Sequence, residues 1–421
     1  AKNTMPNLKD SLYLLHHPKK GEDLISISNF KHIAQQRLII EELAAQKLNL
    51  LRIKARRKTQ KSSIFSIDEN LPSKLIESLD FKLTGAQLRC IGEINKDLSS
   101  SQPMLRLLQG DVGSGKTIVA VFILLQAIEN NFQTAIMAPT EILAQQHLQN
   151  FNSYLDHLGI KVAFLSGSQN TEERKTQTNL IASGKAQIVI GTHALFQESV
   201  SFNNLGLVII DEQHKFGVHQ RLSLAQKAKK IPHQLVMTAT PIPRSLTMSV
   251  YADLDTSIID ELPPGRQKIE TIALSNNRRD EVVERIKKVC IEGKQIYWVC
   301  TLIEESEALR AESAEKTYLY LSKKLEGIKV VMIHGKLNKA DKQIIMQDFA
   351  KEKINVLVAT TVIEVGLNVP NASLMIVENS ERLGLAQLHQ LRGRVGRGSE
   401  KSVCVLMYQS PLSDSAKQRL D

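Results

Sequence analysis

The segment GDVGSGKT, residues 110–117, combines glycines, a lysine and a threonine at the spacing of a phosphate-binding loop. An apolar segment typical of a buried strand precedes it (residues 104–109), and residues 118–130 are long enough for a helix. Glycines let the backbone wrap around an anion, and the amides at a helix start point at it. Lys116 would then reach the outer phosphates of a nucleotide, and the Thr117 hydroxyl would hold Mg²⁺. The alternative is an ordinary glycine turn before a helix.

Two carboxylates, Asp211 and Glu212, directly follow an apolar, strand-like segment. In a sheet that carries a phosphate loop, Asp211 can bind Mg²⁺ through water and Glu212 can polarise an attacking water molecule. Acidic residues often end strands, so the pair alone does not indicate a metal site. Its position downstream of the glycine-rich loop favours that interpretation. The next residues, Gln213 and His214, would relay the state of the outermost phosphate to residues 238–240. The alternative for these two is hydrogen bonding at a surface turn.

The segment QLRGRVGRG, residues 390–398, places Arg394 and Arg397 on a glycine-rich turn beside a helix. A planar guanidinium pairs with phosphate oxygens and can neutralise charge that develops on a transferred phosphoryl group. The alternative is an arginine-rich tract that binds RNA or DNA. The glycines favour the first interpretation, because they let a phosphate approach the backbone.

Short strand patterns rich in Val and Ile alternate with helical patterns along most of the chain. Near-continuous apolar strands with helices between them indicate a parallel sheet covered on both faces, which is an α/β fold. The alternation breaks at ELPPGRQ, residues 261–267, which predicts a hinge. The second α/β unit has no glycine–lysine loop, so we expect it to complete the first nucleotide site. The predicted strands are residues 134–139, 161–167, 187–192, 205–212, 233–240, 295–301, 329–335, 354–360, 373–379 and 402–408.

The amino-terminal region is the least informative part of the chain. Residues 30–58 have apolar side chains at helical spacing and end in a basic cluster, which could bind phosphates or be a solvated helix face. Residues 59–72 have the composition of a connector. We therefore predict a helical segment with its linker at 1–74, a first α/β lobe at 75–264 and a second at 265–421.

The composition is that of a soluble protein of more than one domain. The 421 residues carry a net charge of +10, which favours a polyanionic partner. Aromatic residues make up only 5%, so base stacking is not expected to dominate binding. Four widely spaced cysteines predict reduced thiols in a cytoplasmic protein, without a zinc site. No apolar run approaches the ~20 residues that cross a bilayer, so we expect no membrane partner. We expect a monomer. The chain begins without Met, so we expect it to be a piece of a longer protein.

The order of the motifs resembles one helicase family. GDVGSGKT, APTEILAQQH, GTHALFQ, DEQH, TATPIPR, ATTVIEVGLNVPNAS and QLRGRVGRG follow one another along the chain. This series is similar to that of superfamily 2 helicases, and most closely to the RecG family of bacterial branch-migrating DNA helicases. HPKKGEDL and KHIAQQRLIIEEL also resemble the segment that precedes the motor in that family. The resemblance implies two RecA-like lobes with ATP between them, moving along double-stranded DNA.

The resemblance also implies roles for the nucleotide site. Asp211 matches the metal-binding position, Glu212 the water-activating position, and Arg394 and Arg397 the arginine fingers. ATP and Mg²⁺ would be bound by Gly110, Asp111, Val112, Gly113, Ser114, Gly115, Lys116 and Thr117. The segment FKLTGAQ resembles the adenine-recognising segment, with Gln87 at the base edge and Phe81 packing nearby. An amide can both donate to and accept from adenine, and the alternative is that Gln87 caps a helix.

Other segments resemble the loops that face nucleic acid in this family. Their backbone-binding residues would be Thr140, Thr192, His334, Thr360 and Gly366. The alternative for each threonine is the cap of a strand end. Many superfamily members have Asp where this chain has Asn368, which would hydrogen-bond a ribose hydroxyl without carrying a charge.

The function implied is ATP-driven translocation on double-stranded DNA, with remodelling of stalled replication forks and branched recombination intermediates. The family also has a wedge domain before the motor and a coupling hairpin after it. We expect this chain to begin after the wedge domain and to end just before or at the hairpin region, whose entry the last residues, AKQRLD, resemble. We therefore expect ATP binding to be retained and efficient branch migration to be lost. The alternatives are an RNA helicase with the same lobes and a DNA-binding fragment without productive ATP hydrolysis.

Overall fold

The structure is a computed structural model that describes residues 5–212, 227–239, 254–263, 266–301, 307–360, 369–396, 398 and 401–420. The predicted site and relay residues outside these ranges are Gln213, His214, Thr240, Gly366, Asn368 and Arg397. The described residues form two compact units. One contains the residues up to Lys61 together with Leu254 and Asp255, and the other contains the rest, with both sheets.

The first sheet has seven strands in the order β3-β4-β2-β5-β6-β1-β7. The strands are β1 Leu105–Gly110, β2 Gln133–Met137, β3 Val162–Leu165, β4 Ile188–Gly191, β5 Leu205–Asp211, β6 His233–Thr238 and β7 Asp255–Ile259. The neighbouring pairs from β3 to β1 are parallel. The side chains of β2, β4 and β5 are almost all buried, because helices cover both faces of a parallel sheet. The glycine-rich loop therefore follows an interior strand.

The second sheet repeats this arrangement. Its six strands run β10-β11-β9-β12-β13-β8, and all neighbouring pairs are parallel. The strands are β8 Glu270–Ser275, β9 Gln295–Cys300, β10 Val330–Ile333, β11 Val356–Thr360, β12 Ala372–Glu378 and β13 Val403–Tyr408. A buried glutamine opens the matching strand of each sheet and donates to two backbone carbonyls. Gln133 donates to Ile181 and Ala186 at 3.0 and 2.7 Å, and Gln295 donates to Phe349 and Ile354 at 2.6 and 2.7 Å.

Helices precede the first sheet and connect the strands. They are α1 Leu8–His16, α2 Leu24–Ser28, α3 Ile33–Lys58, α4 Asn70–Ser78, α5 Gly85–Leu98, α6 Lys116–Glu129, α7 Glu141–Leu155, α8 Thr171–Ala182, α9 Arg279–Ile291, α10 Glu307–Lys324, α11 Lys339–Ala350, α12 Leu385–Arg392 and α13 Asp414–Leu420. Helix α6 is buried along its whole middle, from Ile118 to Ile128, because it packs between the sheet and helices α4 and α5. This packing holds the start of α6, where the phosphate loop ends.

The predicted α/β class with two tandem parallel-sheet lobes is confirmed, and each predicted strand is present. Two of the strands in the described ranges, β7 and β8, were not predicted. In β8 the first four residues are exposed, and β7 has only two buried positions. Neither segment therefore has the apolar run by which a buried strand is recognised.

The amino-terminal unit contains the predicted helix α3. Lys54, from the basic cluster at the end of this helix, forms an ion pair with Asp255 at 2.7 Å. That lysine is therefore engaged within its own unit. In the part of the chain that the structure describes, no helix has both the length and the apolar character to cross a membrane.

Candidate nucleotide-binding site

The glycine-rich loop links β1 to α6 in a conformation that requires glycine. Gly113 and Gly115 have φ angles of +75° and +87°, in the left-handed region that other residues rarely adopt. A side chain at Gly110 would collide with the Ser114 hydroxyl, and one at Gly115 would collide with the Gln87 amide. The Ser114 hydroxyl oxygen is buried and has no hydrogen-bond partner among the described residues. These features fit a loop that wraps an anion.

The lysine of the loop lies over the loop itself. The Lys116 ammonium donates to the carbonyls of Gly110 and Asp111 at 2.8 and 2.9 Å. These bonds hold the cation at the mouth of the loop, where a phosphate would meet it together with the amides that start α6.

Gln87 is buried and connects the loop to helix α5. Its side-chain oxygen accepts from the Thr84 amide at 2.9 Å, while the Thr84 hydroxyl accepts from the Gln87 amide at 3.2 Å. Its Nε2 donates to the Ser114 carbonyl at 2.9 Å. Gln87 therefore caps helix α5, as the alternative interpretation expected, and its recognition of adenine stays a prediction. Phe81 lies before α5 with 43% of its surface exposed, so its ring is accessible.

Replacing Gly115 with alanine is expected to weaken triphosphate binding roughly 5- to 30-fold, because a left-handed φ costs another residue about 1–2 kcal/mol. The new methyl group would also displace Gln87 from the Ser114 carbonyl. Nucleotide affinity measured by calorimetry would check this. Gly92→Ala is the matched control, because Gly92 lies in α5 with open space around its Cβ position. Equal affinities for both variants would contradict the assigned role of Gly115.

The acidic pair lies at the carboxyl end of β5, beside the loop. Burial raises the pKa of Asp211, but the hydrogen bond and the electrostatic attraction of His147, together with the charge of Lys116, outweigh it, so the pKa lies below its usual value. Asp211 therefore stays ionised, as a metal ligand must. In the described ranges no group of three His, Cys, Asp or Glu side chains forms a metal cage. A single carboxylate beside a phosphate loop suits Mg²⁺, which binds few protein ligands together with phosphates.

Glu212 differs from its neighbour in conformation and in proton affinity. Its φ is +50°, and its carboxylate accepts from the Ala239 amide at 3.3 Å. Burial and the negative charge of Asp211 raise its pKa, and the charges of Lys116 and Arg394 only partly offset this. A carboxylate with a raised pKa is a better proton acceptor, which suits a water-activating base.

The second sheet contributes its arginine-bearing turn to the same place. Arg394 is half-buried and lies close enough to Glu212 to affect its pKa. Gly393 packs so closely on Val112 that a side chain at 393 would collide with it. Arg392 reaches Asp111 at 3.8 Å. The structure therefore brings residues 392–394 against the phosphate loop. Arg397 lies outside the described residues.

Arg266, which follows the hinge prolines, bridges the two sheets and was not predicted. Its Nε donates to the Gly396 carbonyl at 2.9 Å, and its Nη1 donates to the Val112 carbonyl. Its guanidinium lies directly over Gly113. Burial lowers the pKa of Arg266, and the charge of Asp111 partly opposes this. No local pattern marks this residue, because its partners lie far away in the sequence.

A cavity of about 470 Å³ opens beside the loop. Its walls come from the end of β1 and the loop, from β7 and the hinge, and from helix α12. Residues lining it include Asp111, Ser114, Glu261, Arg266, His389 and Arg392. Both basic and acidic groups thus surround a space of the size that small-molecule sites have.

The described residues predicted to contact nucleic acid lie at or just after the carboxyl ends of strands. Thr192 follows β4, Thr360 ends β11 and His334 follows β10. Thr140 is the N-cap of α7, where its hydroxyl accepts from the Leu143 amide at 3.4 Å. In the first sheet these strands lie in the half away from β1, and in the second sheet they lie in the half away from β8. The Thr360 hydroxyl is buried and has no partner within the described ranges. Gly366 lies outside them.

His147, the last residue of the APTEILAQQH motif, was given no role from the sequence, yet it hydrogen-bonds one member of the acidic pair. This α7 residue bonds Asp211 at 2.9 Å across 64 positions of sequence. Its local signs are its place in that motif and its position seven residues beyond Thr140 on one helix, and neither identifies Asp211 as its partner.

Comparison with known proteins agrees with this geometry. The family described as "DEAD/DEAH box helicase" matches residues 84–249, and "Helicase conserved C-terminal domain" matches residues 274–399. ATP-dependent DNA helicase RecG of Escherichia coli K12 is 53% identical over 99% of this chain, and the RecG of Aquifex aeolicus is 44% identical over 100%. The chain spans 61% and 53% of their respective lengths.

One solved structure leads to the same family, and a second shares only the fold. A structure of RecG bound to a three-way DNA junction matches the whole chain with a TM-score of 0.82 at 42% identity, and 54% of that protein is covered. The helicase MrfA bound to DNA matches 83% of the chain and is covered over 52%, with a TM-score of 0.61 at 18% identity, which shows the fold alone. With these matches and a phosphate loop faced by an acidic pair and an arginine turn, the chain belongs to the RecG family of helicases.

Proposed function

We propose that this chain is an ATP-driven motor that moves along double-stranded DNA and remodels stalled replication forks and branched recombination intermediates. The observation that carries the proposal is the contact of the arginine turn of the second sheet with the phosphate loop of the first. A nucleotide in that position would be held by both lobes, so hydrolysis would change their relative placement. RecG bound to a three-way junction supports branched DNA as the substrate.

The nucleotide would be ATP, held by the loop of residues 110–117 with Lys116 against its outer phosphates. Mg²⁺ would be held by Thr117 and Asp211, and it would neutralise charge on the phosphates. Glu212 would accept a proton from the attacking water, because burial raises its pKa. Arg394 and Arg397 would stabilise the charge that develops during transfer.

The remaining assignments concern the base, the ribose and the DNA. Phe81 and Gln87 would face adenine, and Asn368 would face the ribose. The DNA backbone would be contacted by Thr140, Thr192, His334, Thr360 and Gly366. The carboxyl-end location of the four described residues supports this, because they share one edge of each sheet.

We assign residues 1–74 to a helical segment and linker, 75–264 to the ATP-binding lobe and 265–421 to the second lobe. The partner would be double-stranded and branched DNA, without a membrane, and the chain would act as a monomer in the cytoplasm. All four cysteines are free and buried, which supports a reducing compartment.

The test is the rate of ATP hydrolysis without nucleic acid and with duplex DNA, forked DNA or RNA. We expect forked or duplex DNA to stimulate hydrolysis. Stimulation by RNA alone would replace the DNA assignment with an RNA helicase. A low rate of hydrolysis that no nucleic acid changes would indicate a DNA-binding fragment without productive hydrolysis.

A further inference from the structure

His147 is a buried histidine that hydrogen-bonds Asp211. Its side chain is on α7, only 6% of its surface is exposed, and its Nε2 lies 2.9 Å from Asp211 Oδ2. An ionised carboxylate can only accept a hydrogen bond, so Nε2 carries the proton and donates. The other ring nitrogen, Nδ1, is buried without a partner among the described residues. Among the described residues, the hydrogen bond to Asp211 is therefore the polar contact that orients the imidazole ring of His147.

Packing prevents the ring from turning away. Phe151, one helical turn further along α7, is fully buried, and its ring centroid lies 6.0 Å from that of His147. Ala144, on the preceding turn, is also fully buried. Because this face of α7 is in the core, a movement of the helix carries the imidazole with it. A packed interior transmits such shifts rather than absorbing them.

The same helix begins at a residue that we assign to DNA and contacts the second lobe. Its N-cap is Thr140, which we assign to the DNA backbone, roughly 10 Å along the helix axis from His147. Gln145 Oε1 accepts a hydrogen bond from Gln343 Nε2 of α11, in the second lobe, at 3.3 Å. One rigid element therefore joins the edge predicted to face DNA, the second lobe and the carboxylate of Asp211.

We propose that His147 is a positioning residue that orients Asp211 towards Mg²⁺ and transmits displacements of α7 to that carboxylate. The inference rests on the proposed function, because it takes Asp211 as a metal ligand. Groups that hydrogen-bond a ligating carboxylate set its orientation, and their loss costs about 10- to 100-fold in metal affinity or activity. DNA bound at the start of α7 would thus change how well the site holds the Mg²⁺–nucleotide complex.

The test compares His147→Leu, which removes the donor, with His147→Gln, which keeps an N–H group at the end of the side chain. The first measurement is the affinity for a fluorescent ATP analogue as Mg²⁺ is varied, with EDTA as the metal-free reference. The second is the ratio of hydrolysis rates with and without forked DNA. We expect His147→Leu to need about 10- to 100-fold more Mg²⁺ for half-maximal binding and to lower the stimulation ratio. His147→Gln should restore both, and affinity in EDTA should be unchanged in all variants.

His233→Leu is the matched control. His233 is also buried in the first lobe, but it accepts from the Met104 amide at 3.0 Å, at the opposite ends of the strands. Its loss should lower the melting temperature and leave the Mg²⁺ dependence and the stimulation ratio unchanged.

Three outcomes would overturn the inference. One is a His147→Leu protein that binds the analogue in EDTA and shows the parental Mg²⁺ dependence. Another is a His147→Gln protein that is as defective as His147→Leu, because the hydrogen bond would then not be the cause. The third is a parent protein that does not bind the Mg²⁺–nucleotide complex, which would reject the proposed function as well.

Discussion

ATP binding is expected to fall by at least about thirtyfold when Lys116 is replaced with alanine. The Lys116 ammonium lies at the mouth of the phosphate loop, where it donates to the Gly110 carbonyl at 2.8 Å. A bound triphosphate would form an ion pair with this ammonium. Removing one partner of a desolvated, hydrogen-bonded charge pair costs about 2–5 kcal/mol, and every 1.4 kcal/mol is tenfold in affinity. Equilibrium binding of a fluorescent ATP analogue would measure the loss.

The control for Lys116→Ala is Lys96→Ala, which removes an exposed lysine from the last turn of α5. It should bind the analogue as the parent does. Both variants should keep the parental melting temperature to within a few degrees, because Asp111, one of the two residues whose carbonyls Lys116 releases, is exposed to water. A Lys116→Ala protein that is folded and retains parental affinity would disprove the phosphate-binding assignment.

Glu212→Gln is expected to separate binding from hydrolysis. An amide of the same shape can still accept from Ala239, so the loop and the nucleotide pocket should be retained. It cannot take a proton from water, and general base catalysis contributes about 10²- to 10⁴-fold. We therefore expect a loss of hydrolysis of that size with ATP affinity within a few-fold of the parent, measured by single-turnover hydrolysis and by equilibrium binding.

The matched control is Glu315→Gln, on the exposed surface of α10, which should hydrolyse ATP at the parental rate. If Glu212→Gln also turned over at the parental rate, the water-activating role would be wrong. If it lost nucleotide affinity instead, the positive φ of Glu212 would point to a structural role in shaping the loop.

The strands and the phosphate loop could be predicted because each has a short-range cause. A buried parallel strand needs an unbroken apolar run, and residues such as those of β5 and β9 supply one. The loop needs glycines where φ is positive, and Gly113 and Gly115 occupy those positions. Strand β8 could not be predicted in this way, because an exposed edge strand needs no apolar run.

What the sequence by itself determined is the α/β class, the tandem repetition and the chemical groups of the loop and the acidic pair, since each depends on residues adjacent in the chain. Only the tertiary structure decided which distant groups meet them. His147 reaches Asp211 because α7 packs on the first sheet, against β3 and β4, and Arg266 reaches Val112 because the hinge passes the phosphate loop. Such contacts join residues 64 and 154 positions apart, and their energy depends on packing that no local pattern encodes.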